Sequence, residues 1–194
     1  MKRVCVFCGS SAGSRPVYAE AARRFGEAMV LRGLGLVYGG GHVGLMGVVA
    51  DSVLRAGGEV VGVIPRGMVE RELAQTNITR LEVVETMHQR KARMADLADA
   101  FAALPGGFGT CDELFEILTW AQLRLHVKPV GLLNVNGFFD PLLGWLDHTL
   151  SEGFLKPKHR TLLLTAMETE ALLDLLQHYR PAEPVDKWLG PENR

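Results

Sequence analysis

The sequence predicts a single α/β domain: a doubly wound, Rossmann-like parallel sheet with helices on both faces. Three features carry that prediction. Short, near-continuous apolar runs such as Val4–Cys8 and Ala100–Leu104 fit parallel strands buried on both sides. These runs alternate with longer segments of helical character, the order in which βαβ units are built. Two glycine-rich loops each follow such a run and precede a helix. A length of 194 residues suits one domain with a sizeable core.

Each element has its own signal. Lys2–Cys8 reads as the first strand and GSSAGSRP as the loop after it. Pro16–Arg32 reads as a helix with proline in its first turn. Leu34–Tyr38 is a short apolar strand, followed by the loop GGGHVG. A helix is expected from Gly44 to Ala56, stopped by Gly57-Gly58. Glu59–Ile64 is the next strand, ended by Pro65. Residues 66–77 are polar and irregular, with a helical turn near Val69–Leu73. Ile78–Val84 is a weaker strand. Thr86 can cap a helix running to Asp99. Ala100–Leu104 is a strand closed by Pro105, Gly106–Thr110 a loop, and a helix follows to Leu125. Pro129–Leu133 is strand, Phe139–Ser151 helix, Thr161–Leu164 strand and Glu168–His178 helix. The domain is expected to span residues 1–180. Residues 181–194, with Pro181, Pro184, Pro191 and a terminal charge cluster, form a C-terminal extension.

Composition narrows the function classes. A hydrophobic fraction of 47% and a charged fraction of 22% describe a folded chain rather than a disordered one. A net charge of −1 argues against nucleic acid or an anionic membrane as the main partner. No run of apolar residues is long enough to span a bilayer. The apolar run at the N-terminus is too short for a signal peptide, so a cytoplasmic location is expected. Cys5 and Cys8 form a CxxC pattern, but strand residues three apart point to opposite faces. They read as small buried apolar groups, not a redox or zinc pair. Glycine is in excess: 22 of 194 residues, against roughly 7% in an average protein.

In doubly wound folds ligands bind beyond the carboxyl ends of the strands, where both glycine loops lie. Gly39-Gly40-Gly41-His42-Val43-Gly44 matches GxGxxG, in which glycine lets backbone approach a phosphate or ribose. No carboxylate ends the next strand, so a dinucleotide site is disfavoured, and no Gly-Lys-Ser/Thr makes a P-loop. Packing of strand against helix is the plain alternative. Gly40 and Gly41 are candidate substrate contacts, with Gly9 and Ser10 after the first strand. The second loop, Gly106, Gly107, Phe108, Gly109 and Thr110, offers bare amides, a hydroxyl and the positive end of a helix dipole, a phosphate cradle. Asp112, Glu113 and Glu116 follow, and the last two share a helix face. Acidic residues also favour a helix start for structural reasons alone. In MHQRKARM, Arg90, Lys91 and Arg93 cluster in the N-terminal half of a helix, where the dipole disfavours cations, which points to an anion-facing role. Arg90 and Arg93 are expected on one face and Lys91 elsewhere.

The segments MHQRKARM and PGGFGTCDELFEILTWAQL together resemble the LOG (Lonely Guy) family of cytokinin riboside 5′-monophosphate phosphoribohydrolases, a family also labelled "possible lysine decarboxylase". The hallmark PGGxGTxxE runs here from Pro105 to Glu113. CGSS at 8–11, the GGG loop and KPVGLLN at 128–134 also fit, so the resemblance covers most of residues 2–165. It implies hydrolysis of the N-glycosidic bond of a nucleoside 5′-monophosphate to free base and ribose 5-phosphate, without metal or cofactor. Arg90 and Glu113 match the family's catalytic pair. Glu72, Lys91, the Gly106–Asp112 loop and Thr119 match its substrate-binding positions. The family also implies a homodimer with the site near the subunit interface. Cys111-Asp112 occupies the motif's variable pair, with aspartate where plant-type members often have a second glutamate. The base can be plain adenine or an N6-prenylated adenine. Two rivals are a pyridoxal-phosphate decarboxylase, for which Lys91 is the one lysine in a motif, and a noncatalytic carrier of a phosphorylated pterin-type cofactor.

Overall fold

The computed structural model describes residues 1–69 and 74–181. In chain order the elements are β1 (Arg3–Phe7), α1 (Pro16–Leu31), β2 (Gly35–Tyr38), α2 (Gly44–Arg55), β3 (Val60–Pro65), α3 (Arg66–Val69), β4 (Arg80–Val84), α4 (Met87–Leu97), β5 (Ala100–Ala103), α5 (Phe108–Gln122), β6 (Val130–Leu133), α6 (Asp140–Ser151), α7 (Pro157–Arg160), β7 (Leu163–Ala166) and α8 (Thr169–His178). The strands form one sheet in the order β4-β3-β2-β1-β5-β6-β7. Every neighbouring pair is parallel. The chain winds outward from β1 to β4, then crosses back to place β5 on the other side of β1. That reversal opens a crevice beyond the carboxyl ends of β1 and β5.

Local chemistry sets the element ends. Pro16 opens α1, where its missing N–H costs no hydrogen bond. Gly57 adopts φ +81° after α2, and the Gly58 amide returns to the Val53 carbonyl at 2.8 Å, a left-handed stop that favours glycine. Thr86 and Gln89 form a reciprocal capping box at the start of α4. One element departs from expectation. Pro157 opens the short helix α7, which Thr161 closes, so the last strand begins at Leu163 rather than Thr161. The helical turn expected near Val69–Leu73 appears as Arg66–Val69, and residues 70–73 lie outside the described residues. So does the expected C-terminal extension beyond Pro181.

Two apolar layers flank the sheet. Val4, Val6 and Cys8 face the layer built with Phe25 of α1, Val49 of α2 and Leu172 of α8. Cys5 and Phe7 face the layer built with Met94 of α4, Leu114 of α5 and Leu146 of α6. The two thiols therefore lie on opposite faces, as strand alternation requires. Burial pushes both well above the ordinary thiol range. Among the described residues no helix is long and apolar enough to cross a membrane.

Helix α1 packs tightly on α2 at Gly26. A Cβ there would collide with the Ser52 hydroxyl and stand 3.0 Å from the Val49 carbonyl oxygen. Ser52 donates to that same carbonyl at 2.8 Å, so it has little freedom to retreat. Gly26→Ala should lower the unfolding free energy by about 1–3 kcal/mol, the usual cost of overpacking, measured by urea titration. Wild-type stability would contradict this packing.

Candidate active site

The two loops at the crevice are tied together by backbone. The Gly9 amide donates to the Pro105 carbonyl at 3.0 Å, and the Gly9 carbonyl accepts from the Leu45 amide at 3.0 Å. A Cβ at Gly44 would collide with the backbone of Ser10 and Ser11, and one at Gly106 with the Thr110 side chain. These glycines therefore serve close packing. The start of α2 spends an amide on Gly9, and Gly40 and Gly41 are buried. The Gly40 carbonyl accepts from the Gln75 amide at 2.8 Å, and Gly41 bridges to Ala74. The first glycine loop is thus a wall of the crevice rather than an open cradle.

The second loop differs. Gly107 caps α5 with no side-chain hydrogen bond, and the space where Cβ atoms of Gly107 and Gly109 would stand is open. Helix α5 begins at Phe108, so its first amides face the crevice beside the Thr110 hydroxyl. This is the arrangement that attracts an anion. The start at Phe108 also places Asp112 and Glu113 beyond the first turn, where the helix dipole no longer explains them.

What explains Glu113 is Arg90. The capping box fixes the start of α4 so that Arg90 turns inward one turn later. Its Nε donates to the Val63 carbonyl at 3.1 Å and its Nη1 to Glu113 Oε1 at 2.7 Å. Its Nη2 occupies the space that a side chain on Gly39 would need. Arg90 is 7% exposed and Glu113 8%, so each charge depends on the other. Burial raises the Glu113 carboxyl above the ordinary glutamate range. The Arg90 guanidinium opposes that rise without cancelling it.

A second ion cluster borders this pair. Lys91 Nζ lies 3.0 Å from Asp112 Oδ2 and 3.1 Å from Glu116 Oε1. Burial alone would lower the Lys91 ammonium, but the hydrogen bonds to Asp112 and Glu116 prevail and hold it raised. A lysine so held is a poor Schiff-base nucleophile. Arg93 instead turns to Glu82 of β4, with Nε 2.6 Å from its carboxylate. The expected grouping of Arg90 with Arg93 is corrected. Arg90 and Lys91 together face α5, because a long lysine stem spans the rotation between adjacent helix positions.

The structure thus brings together Gly9, Arg90, Lys91, the Gly106–Thr110 loop, Asp112, Glu113 and Glu116, with Ser10 exposed beside them. Glu72 lies outside the described residues. Thr119 is not in the cluster. It hydrogen-bonds to the Phe115 carbonyl at 2.7 Å and lines a separate cavity of about 90 Å³ with Leu155 and His159. Among the described residues no group of three or more His, Cys, Asp or Glu could hold a metal ion. Sequence reasoning missed the fit of Gly39 to Arg90, although Gly39 opens the GxGxxG match. It also missed the Val63 carbonyl, which carries no side-chain signal. Gly39→Ala should force the guanidinium away from Glu113 and cost at least about 3 kcal/mol, as breaking a buried ion pair does. Gly107→Ala, with open space, should change stability by less than about 1 kcal/mol. Equal losses at the two positions in urea titrations would contradict the geometry.

A family model described as "Possible lysine decarboxylase" matches residues 46–176. A probable cytokinin riboside 5′-monophosphate phosphoribohydrolase of Oryza sativa subsp. japonica is 52% identical over 93% of this chain and 73% of its own length. One from Arabidopsis thaliana is 51% identical over 93% of this chain and 83% of its own. Among solved structures, a molybdenum cofactor binding protein of Rippkaea orientalis superposes with a TM-score of 0.69 at 20% identity, covering 91% of this chain and 96% of that one. The molybdenum cofactor carrier protein of Chlamydomonas reinhardtii gives 0.68 at 19%, with the same coverage of each chain. At those identities the structures share the fold alone. The sequence match, spanning nearly the whole described chain, places the protein in the LOG family of cytokinin riboside 5′-monophosphate phosphoribohydrolases.

Proposed function

We propose that this protein hydrolyses the N-glycosidic bond of a purine nucleoside 5′-monophosphate, releasing the free base and ribose 5-phosphate. The observation that carries this reading is a buried arginine–glutamate pair, Arg90–Glu113, set beside an uncapped, glycine-lined helix start. Relatives of about 50% identity bear the name of that activity.

The chemistry follows from the site. The 5′-phosphate rests on the amides of Phe108, Gly109 and Thr110, with Gly107 and Gly109 leaving room, Gly106 packed against Thr110, and Lys91 at the rim. Gly9 and Ser10 border the same end, and Glu72 is assigned a substrate contact through the resemblance alone. Holding the phosphate positions the ribose before the bond breaks. As the C1′–N bond lengthens, its electron pair leaves with the base and positive charge builds on the ribose. The Glu113 carboxylate stabilises that charge and accepts a proton from the water that attacks C1′. The same proton can then return to the departing base. A carboxyl raised by burial is suited to both transfers. Arg90 keeps Glu113 aimed and meets the substrate's oxygens with its remaining N–H groups. Asp112 and Glu116 hold Lys91 in place.

Thr119 lies six residues beyond Glu113, about 9 Å along α5 and about 120° around it, so it does not meet its own chain's Glu113. We propose a homodimer in which Thr119 approaches the partner's site. Phe108, Leu123, Leu125, Trp145 and Phe154 are all more than half exposed, and a second copy would cover apolar groups of this kind. We propose a cytoplasmic location on the same footing as the sequence expectation, the buried Cys5 and Cys8 needing no oxidising compartment. The carrier alternative rests on fold similarity alone.

Incubation with AMP and with isopentenyladenosine monophosphate should release free base, and comparing the two fixes the preferred base. Glu113→Gln and Arg90→Ala should each lower kcat by about 10²-fold or more with the circular dichroism spectrum retained. The unphosphorylated nucleosides should turn over poorly. No base from any purine 5′-monophosphate would refute the proposal. The acidic limb of kcat/KM should lie above the ordinary glutamate range, activity rising as Glu113 deprotonates. A limb below that range would contradict the burial of Glu113. Light scattering on the purified protein should give twice the chain mass of 21.2 kDa. A monomer would contradict the shared surface.

A further inference from the structure

Gln75 lies outside the catalytic pair and the phosphate loop, yet it is only 9% exposed and fully engaged. Its backbone amide donates to the Gly40 carbonyl at 2.8 Å. Its side-chain oxygen accepts from the Tyr38 hydroxyl at 3.1 Å. Its side-chain nitrogen donates to Asp51 of α2 at 2.6 Å. Tyr38 is fully buried and is the last residue of β2, immediately before Gly39. Gly41 bridges to Ala74, the residue before Gln75. One residue therefore ties three parts together: its side chain joins the end of β2 to the middle of α2, and its backbone amide holds the strip Gly39–Gly41 at Gly40. Gly39, the first residue of that strip, is the one against which the Arg90 guanidinium lies.

We propose that Gln75, clamped by Tyr38 and Asp51, is a positioning residue that presses the Gly39–Gly41 backbone against Arg90 and so fixes the Arg90–Glu113 pair for catalysis. The proposal rests on the hydrolase reading for its catalytic consequence, but not for the geometry itself. Arg90 is held at three points: the Val63 carbonyl, Glu113 and the Gly39 backbone. Val63 belongs to the sheet and Glu113 to a long helix, both rigid. Gly39–Gly41 is a loop of three glycines, the backbone with the most freedom to move. Without a clamp, the guanidinium could drift toward that side and away from Glu113. Gly40, at φ +74°, is held by the Gln75 amide, and the Gln75 side chain locks that contact to the buried Tyr38 of β2 and the half-exposed Asp51 of α2. A buried amide side chain satisfied at both ends specifies one arrangement, and removing either partner strands the other.

The charged groups that act on Glu113 are Arg90 and Lys91 of α4 and Asp112 of its own helix; the Cys5 thiol of β1 lies on the same side of the sheet, and the Cys8 thiol, on the other side, is still near enough to feel its charge. Of these, Arg90 opposes the rise of the Glu113 carboxyl most. Loosening Arg90 therefore raises Glu113 further, and that shift reads the clamp without any substrate.

The test is a carboxyl titration by NMR of protein labelled with ¹³C at the glutamate carboxyl carbon. The Glu113 signal is assigned through Glu113→Gln. Gln75→Met keeps the length of the side chain and removes both side-chain hydrogen bonds. Tyr38→Phe removes only a hydroxyl and guards against a variant that fails to fold. Both should raise the Glu113 midpoint by about half a pH unit or more. The double variant should match Gln75→Met alone, since both act through one contact. Turnover measured on the same samples should show kcat down about tenfold with KM nearly unchanged. An unchanged Glu113 midpoint in both folded variants overturns the proposal, whatever their kcat. Absence of turnover in the wild-type protein strikes the hydrolase reading alone, because the titration still reports the clamp.

Discussion

A buried guanidinium must be surrounded, and the architecture of the crevice follows from surrounding the one on Arg90. Its charge is largely withdrawn from water and needs a carboxylate, which Glu113 supplies from α5. Its Nε needs an acceptor, which is the end of β3. Its remaining edge needs a backbone without a side chain, which is Gly39. Each demand is met by a different element. The topological switch between β1 and β5 is what brings their carboxyl ends, and hence these elements, to one place.

The glycine surplus divides along the same line. Gly39, Gly44 and Gly106 each stand where a Cβ would collide with a neighbour, and they let two loops and a guanidinium close up. Gly107 and Gly109 have open space above them, and they leave the start of α5 accessible. The first group builds the wall and the second leaves the opening. The near-neutral net charge likewise conceals an ordered local pattern. Arg90 is matched by Glu113, and Lys91 by Asp112 and Glu116. These two cations meet three carboxylates, so the positive feature left to face the crevice is the uncapped start of α5.

Much of this was legible in the sequence because it depends on local signals. Apolar runs marked the strands, Thr86 marked the start of α4, and PGGFGT marked an open helix start. Alternation along β1 by itself separates Cys5 from Cys8. What was illegible depends on distance in the chain. Nothing local says that Gln75 will meet Tyr38 and Asp51, or that Gly39 will make room for a side chain more than fifty positions away. The reading of Arg93 as a companion of Arg90 failed because helical spacing ignores the neighbours. Glu82 on β4 offered Arg93 a partner, and the Lys91 stem was long enough to reach α5. The last strand was misplaced because a single turn of helix after Pro157 is too short to announce itself.

A phosphate on the start of α5 brings the ribose to the Arg90–Glu113 pair. The most direct measurement is a crystal structure of the Glu113→Gln protein with AMP bound. The phosphate should lie within hydrogen-bond reach of the Phe108, Gly109 and Thr110 amides, with C1′ of the ribose toward residue 113. A phosphate seated instead on the Gly39–Gly44 loop, with the ribose turned away from residue 113, would contradict it.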